Sequence, residues 1–144
     1  MKKADPPNNW QEAATNHTRY FEILRNEMQR RFPHPGKLVL IVPGGQTLIA
    51  LKEQIEAGKV PGMTVFFTEI FADDVHLTDK GRYLISLVHY ACIYRESPDG
   101  KVSFAKAGLS AEQARIFQRL AWQTARNYKW SGITMRNRDA KLVP

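Results

Sequence analysis

The chain reads as an α/β domain, mostly helical, with one clear strand of the parallel type. Two observations predict this. Lys37-Leu-Val-Leu-Ile-Val42 is a continuous apolar run with no polar alternation, the mark of a strand covered on both faces. Elsewhere, long stretches repeat apolar residues at spacings of three and four, the period of a helix with one buried side. With 144 residues, 43% of them apolar, there is enough chain for a single domain with a sizeable core.

In order, residues 1–8 read as a flexible lead, residues 9–131 as the domain, and residues 132–144 as a frayed basic tail without periodicity. From Trp10 to about Phe32 the positions Trp10, Ala13, Ala14, His17, Tyr20, Phe21, Leu24 and Met28 mark one amphipathic helix, with Asn9 as its cap. His17 falls on the apolar side, which predicts a packed core histidine and not a ligand. Pro33-His-Pro-Gly36 ends this helix, because neither proline can continue its hydrogen bonding, and leaves His34 exposed. After the strand, Pro43-Gly-Gly45 forms a tight connection to a helix from Gln46 to Ala57. A Gly-Gly turn in that place can hold a phosphate, yet it lacks the Lys-Ser/Thr ending of a nucleotide loop.

Thr64-Val-Phe-Phe-Thr68 is ambiguous between a short strand and a loop. Thr78 is an N-cap candidate for a helix through Tyr83, Leu84, Leu87, Val88, Ala91 and Tyr94. Ser97-Pro-Asp-Gly100 signals a turn, and Ser110-Ala-Glu-Gln113 is a capping-box pattern that opens a last helix through Ala114, Phe117, Leu120, Ala121 and Ala125. Trp122, Tyr128 and Trp130 are expected to close the core.

The chemistry concentrates between Phe71 and Tyr83. Asp73 and His76 stand in the order Asp-x-x-His, on a short loop between the apolar pair Ile70-Phe71 and a helix start. A carboxylate accepting from one ring nitrogen fixes the histidine tautomer and stabilises the imidazolium as it forms. The other nitrogen can then take a proton from a hydroxyl nucleophile. Asp73, Asp74, His76 and Asp79 suggest a metal site less well, since no second histidine sits at ligand spacing and there is no cysteine pair. No cofactor motif is present.

Asp73-Asp-Val-His-Leu-Thr-Asp-Lys-Gly-Arg-Tyr83, followed by an apolar helix to Tyr94 and by Ser97-Pro98, resembles the last sequence block of the SGNH (GDSL-type) hydrolases. Leu40-Ile-Val-Pro-Gly-Gly-Gln-Thr47, the Gly58-Lys-Val-Pro-Gly62 loop and Ile70-Phe71 are similar to the matching C-terminal half of that family. The resemblance spans residues 9 to 130. It implies part of a three-layer α/β/α fold and hydrolysis of an acyl or acetyl ester, carbohydrate esters included. Asp73 would be the orienting acid and His76 the general base. The family's Gly-Asp-Ser nucleophile block is absent, as are the Gly and Gly-x-Asn-Asp blocks of its oxyanion hole. Ser86, Ser97, Ser103, Ser110 and Ser131 do not follow a strand in a Gly-rich turn. By this resemblance the chain would carry the acid and base of a triad whose serine lies on other polypeptide. The alternative is a truncated homologue that serves as a non-catalytic binding module.

A single strand covered on both faces also needs neighbours, since each peptide group buried unpaired costs about 1–3 kcal/mol. Leu38 to Val42 is thus expected to pair with a second copy in a homodimer or with a complementary N-terminal half, or else to leave the domain marginally stable. The formal charge of +7 comes from scattered basic residues. They show no aromatic-basic alternation of the kind that stacks bases, which argues against nucleic acid. No run of about 18 apolar residues is present to span a membrane. Met1-Lys-Lys-Ala-Asp-Pro-Pro has no apolar core of a signal peptide; a secreted or periplasmic protein is expected only if an upstream part is missing. The lone Cys92 excludes an internal disulfide and reads as a small core residue.

Overall fold

The computed structural model describes residues 10–133, so the lead, the Asn9 cap and the tail beyond Ile133 lie outside the described residues. Five helices follow in order: α1 (Trp10–Arg31), α2 (Gly44–Glu56), α3 (Phe66–Ile70), α4 (Asp79–Tyr94) and α5 (Ala111–Asn127). Among the described residues there is no strand, only isolated bridges between His34 and Lys37 and between Phe71 and Leu77. The expected α/β fold, with its three layers and parallel-type strand, is therefore wrong for this chain. The protein is helical.

The core forms where α4 and α5 pack. Tyr83, Leu84, Leu87, Val88 and Ala91 of α4 and Ala114, Phe117, Leu120, Ala121 and Ala125 of α5 are all buried. Their spacing of three and four puts each set on one helix face. α2 adds Leu51 and Ile55, and α3 adds Phe66 and Ile70. Both core helices begin with side-chain caps. Thr78 accepts from the Gly81 amide, and Ser110 with Gln113 makes a complete capping box. The Thr64–Thr68 stretch, expected to be a short strand or a loop, instead leads into the short helix α3 from Phe66, whose Phe66 and Ile70, four apart, both reach the core.

Lys37–Val42 explains the failure of the strand. The Gln29 side-chain amide donates to the Lys37 carbonyl at 3.2 Å and accepts from the Val39 amide at 2.8 Å. Its carboxamide thus stands in for the peptide unit of a neighbouring strand. Arg25 Nε donates to the Val39 carbonyl at 2.9 Å, and the Ile41 amide donates to the Trp130 carbonyl at 2.9 Å. The guanidinium of Arg25, itself buried, lies 3.8 Å from the centre of the Trp130 ring. Helix side chains and one carbonyl satisfy the inner edge of the segment, and no sheet is needed.

α1 is attached by its polar flank. Besides Arg25 and Gln29, Thr18 accepts from Gln46, and Glu22 accepts from the Tyr128 hydroxyl. Only Trp10, at its N-terminal end, joins an apolar cluster, with the rings of Phe66, Phe67 and Phe71 at 5.3, 5.6 and 6.0 Å. The stripe of Tyr20, Phe21, Leu24 and Met28 faces outward. His17 lies on the same outward side and is exposed, not a core histidine.

Candidate functional site

The loop between α3 and α4 is fixed by its own backbone. The Ala72 amide donates to the His76 carbonyl at 2.8 Å, and the Thr78 amide to the Ile70 carbonyl at 2.9 Å. Thr78 Oγ1, besides capping α4, donates to the Glu69 carbonyl at 2.7 Å. Phe71, at the loop entrance, is held by Trp10 and the α3 rings. Gly81 closes the arrangement. A Cβ there would stand 2.6 Å from the Ile70 carbonyl oxygen and 3.0 Å from Leu77 Cβ, so only glycine lets the first turn of α4 seat against the loop.

Within this frame Asp73 makes an Asx-type turn. Its Oδ1 accepts from the amides of Val75, at 2.9 Å, and His76, at 2.8 Å. Its Oδ2 lies 2.8 Å from Nδ1 of His76. The two backbone donors, followed by the imidazole, pull the Asp73 carboxyl down to about 2. It is therefore ionised at neutral pH, which assigns the Nδ1 proton to the side facing it. The imidazole side chain is 71% exposed. Among the described residues, none bonds to Nε2, which is left toward solvent. The structure thus brings Asp73 and His76 together, with the acid oriented by main chain and the far ring nitrogen open.

The serines lie elsewhere and are engaged elsewhere. Ser86 Oγ donates to the Arg82 carbonyl within α4, Ser110 caps α5, and Ser131 is buried and accepts from the Ile133 amide. Ser97 and Ser103 each accept from a backbone amide two residues on. His89 is exposed on α4 with Nδ1 at the Ile85 carbonyl, and His34 lies in its turn. Asp74 and Asp79 do not close a metal cage with Asp73 and His76; among the described residues no group of three or more histidine, cysteine or acidic side chains is placed to hold an ion. A cavity of about 600 Å³ between the 99–105 loop and α5, lined by Lys101, Arg115 and Gln118, shares no residue with the Asp73–His76 loop.

Sequence reasoning found the pair but missed what positions it. Gly81 carried a signal: a glycine in the first turn of a helix costs about 1 kcal/mol against alanine, so its place there marks a close approach. In the sequence Trp10 is only one position of an apolar stripe, and nothing local links it to Phe71. No protein-family model, curated protein or solved structure matches the chain.

Proposed function

We propose that Asp73 and His76 are the acid–base arm of an ester hydrolase of the SGNH kind, acting on acyl or acetyl esters, with carbohydrate esters within that class. The observation that carries this reading is the 2.8 Å contact of Asp73 Oδ2 with His76 Nδ1 on a loop tied at both ends, with Nε2 open. In the reaction Nε2 would take the proton of a serine hydroxyl as its oxygen attacks the ester carbonyl carbon. The imidazolium, stabilised by the Asp73 carboxylate, would return that proton to the departing alkoxide. Water would then cleave the acyl-serine by the same two proton transfers. The serine would come from other polypeptide, since none of the five in this chain hydrogen-bonds to His76 and each is engaged elsewhere. Such a polypeptide would have to reach the Asp73–His76 loop at the Trp10 end of α1.

A second reading rests on that same lack of a serine: the isolated chain is a non-catalytic module. A fluorophosphonate probe and p-nitrophenyl acetate separate the two. The isolated chain should take up no probe. In a preparation that also contains the serine-bearing part, His76→Ala should lower turnover by about three orders of magnitude or more. Equal rates for the native chain and His76→Ala in that preparation would remove His76 from catalysis and leave the binding module. Labelling of the isolated chain would place the nucleophile here and overturn the divided site.

A further inference from the structure

The outward side of α1 and the segment beside it form a surface that the described residues leave uncovered. Tyr20, Phe21, Leu24, Met28 and Phe32 of this region, with Leu38 and Leu40, are exposed by between 39% and 71%. At about 200 Å² for each large side chain, their exposed parts amount to on the order of 700 Å². That exceeds the roughly 300–600 Å² of the largest apolar patch on an ordinary monomer. It is close to the ~800 Å² that each partner buries in a standard interface.

The backbone beside this patch has one open edge. Lys37, Val39 and Ile41 turn their peptide groups toward Gln29, Arg25 and Trp130. In extended chain the direction alternates with each residue, so Leu38 and Leu40 turn theirs the other way. Among the described residues, none bonds to the N–H or C=O of either. We infer that this edge and the outward stripe of α1 are the interface of a homodimer, with a second copy of this chain as occupant.

Self-complementarity singles out the copy. A two-fold axis through Val39 sets Leu38 opposite Leu40 of the second copy in both directions, so four N–H and C=O pairs close with no register choice. The same axis lays the two outward stripes beside the joined edges. Charge does not forbid the approach. Glu27 pairs with both Arg30 and Arg31 within one copy, so the charge bordering the stripe is reduced to one net positive per copy. The Asp73–His76 loop sits at the Trp10 end of α1, away from residues 20–32, and stays open in such a dimer. The inference does not depend on the catalytic reading.

Sedimentation of the full chain at micromolar concentration tests it, and the expected mass is twice 16.5 kDa. Leu24→Asp, at an exposed position, should halve the sedimenting mass while the helical circular dichroism is kept. Val39→Cys supplies an independent readout. Across the axis, residue 39 faces its own copy in a non-hydrogen-bonded pair about 4.5 Å apart at Cα, within reach of a disulfide. Cys92 is buried, so diamide should oxidise two Val39→Cys thiols to a linked dimer and leave a Ser86→Cys control unlinked. A monomeric native chain would overturn the inference and reserve the surface for another polypeptide. So would a dimer that survives Leu24→Asp and fails to link through Val39→Cys, because its interface would lie elsewhere.

Discussion

α5 and α1 are both amphipathic, and the molecule seats them in opposite senses. α5 turns Ala114, Phe117, Leu120, Ala121 and Ala125 into the core against α4 and leaves Arg115 and Arg119 in water. α1 turns Tyr20, Phe21, Leu24 and Met28 to water and is held by Thr18, Glu22, Arg25 and Gln29. A helix stripe says that some surface will be covered, but not by what. In α5 the cover is within the chain. Among the described residues α1 has no such cover, and specific hydrogen bonds do the seating that apolar burial does elsewhere.

Substitutions at matched residues test this contrast. Phe117→Ala should lower unfolding free energy in urea by about 3–5 kcal/mol, since a fully buried ring leaves a cavity. Phe21→Ala, measured dilute enough to keep the chain monomeric, should change it by less than about 0.5 kcal/mol. Equal costs would mean that α1 is buried after all. Gly81→Ala should cost about 1–3 kcal/mol by forcing the α4 turn off the loop, and the His76 ring resonances should shift with it. Arg25→Met keeps the bulk but leaves the Val39 carbonyl without its donor, for a loss of about 1–3 kcal/mol; no loss would mean that the polar flank does not anchor α1.

A pH-dependent effect concerns the loop. Because the folded Asp73 carboxyl is held below its ordinary value, at about 2, it adds stability above the unfolded value near 3.8. That contribution should disappear as pH falls from about 4 to 2, and Asp73→Asn should flatten the acid limb of the stability curve over that interval. An unchanged limb would mean that the carboxylate is not gripped by the Val75 and His76 amides.

The positions of the four long helices, both side-chain caps and the Asp73–His76 pair were legible because each is local; the short α3 was not. A three-and-four period, a hydroxyl before a turn, and an acid three residues from a histidine need no knowledge of the rest of the chain. The strand was misread for a physical reason. A continuous apolar run states what its side chains prefer, while pairing is settled by whatever meets its N–H and C=O groups. Here those partners are the carboxamide of Gln29, eight residues from Lys37, the guanidinium of Arg25 and the carbonyl of Trp130, 89 residues from Ile41. His17 was misplaced for the same reason, since it follows the stripe and the stripe faces outward.

The sequence by itself determined where the four long helices start, which residues alternate toward a common side, and that a carboxylate and an imidazole share one short loop. Only the tertiary structure decided which sides are covered, that Gly81 and Trp10 brace the loop from opposite ends, and that an apolar segment is satisfied by helix side chains. Period and capping act over a single turn of chain. Burial and backbone pairing depend on groups brought together from distant positions, and no local pattern specifies them.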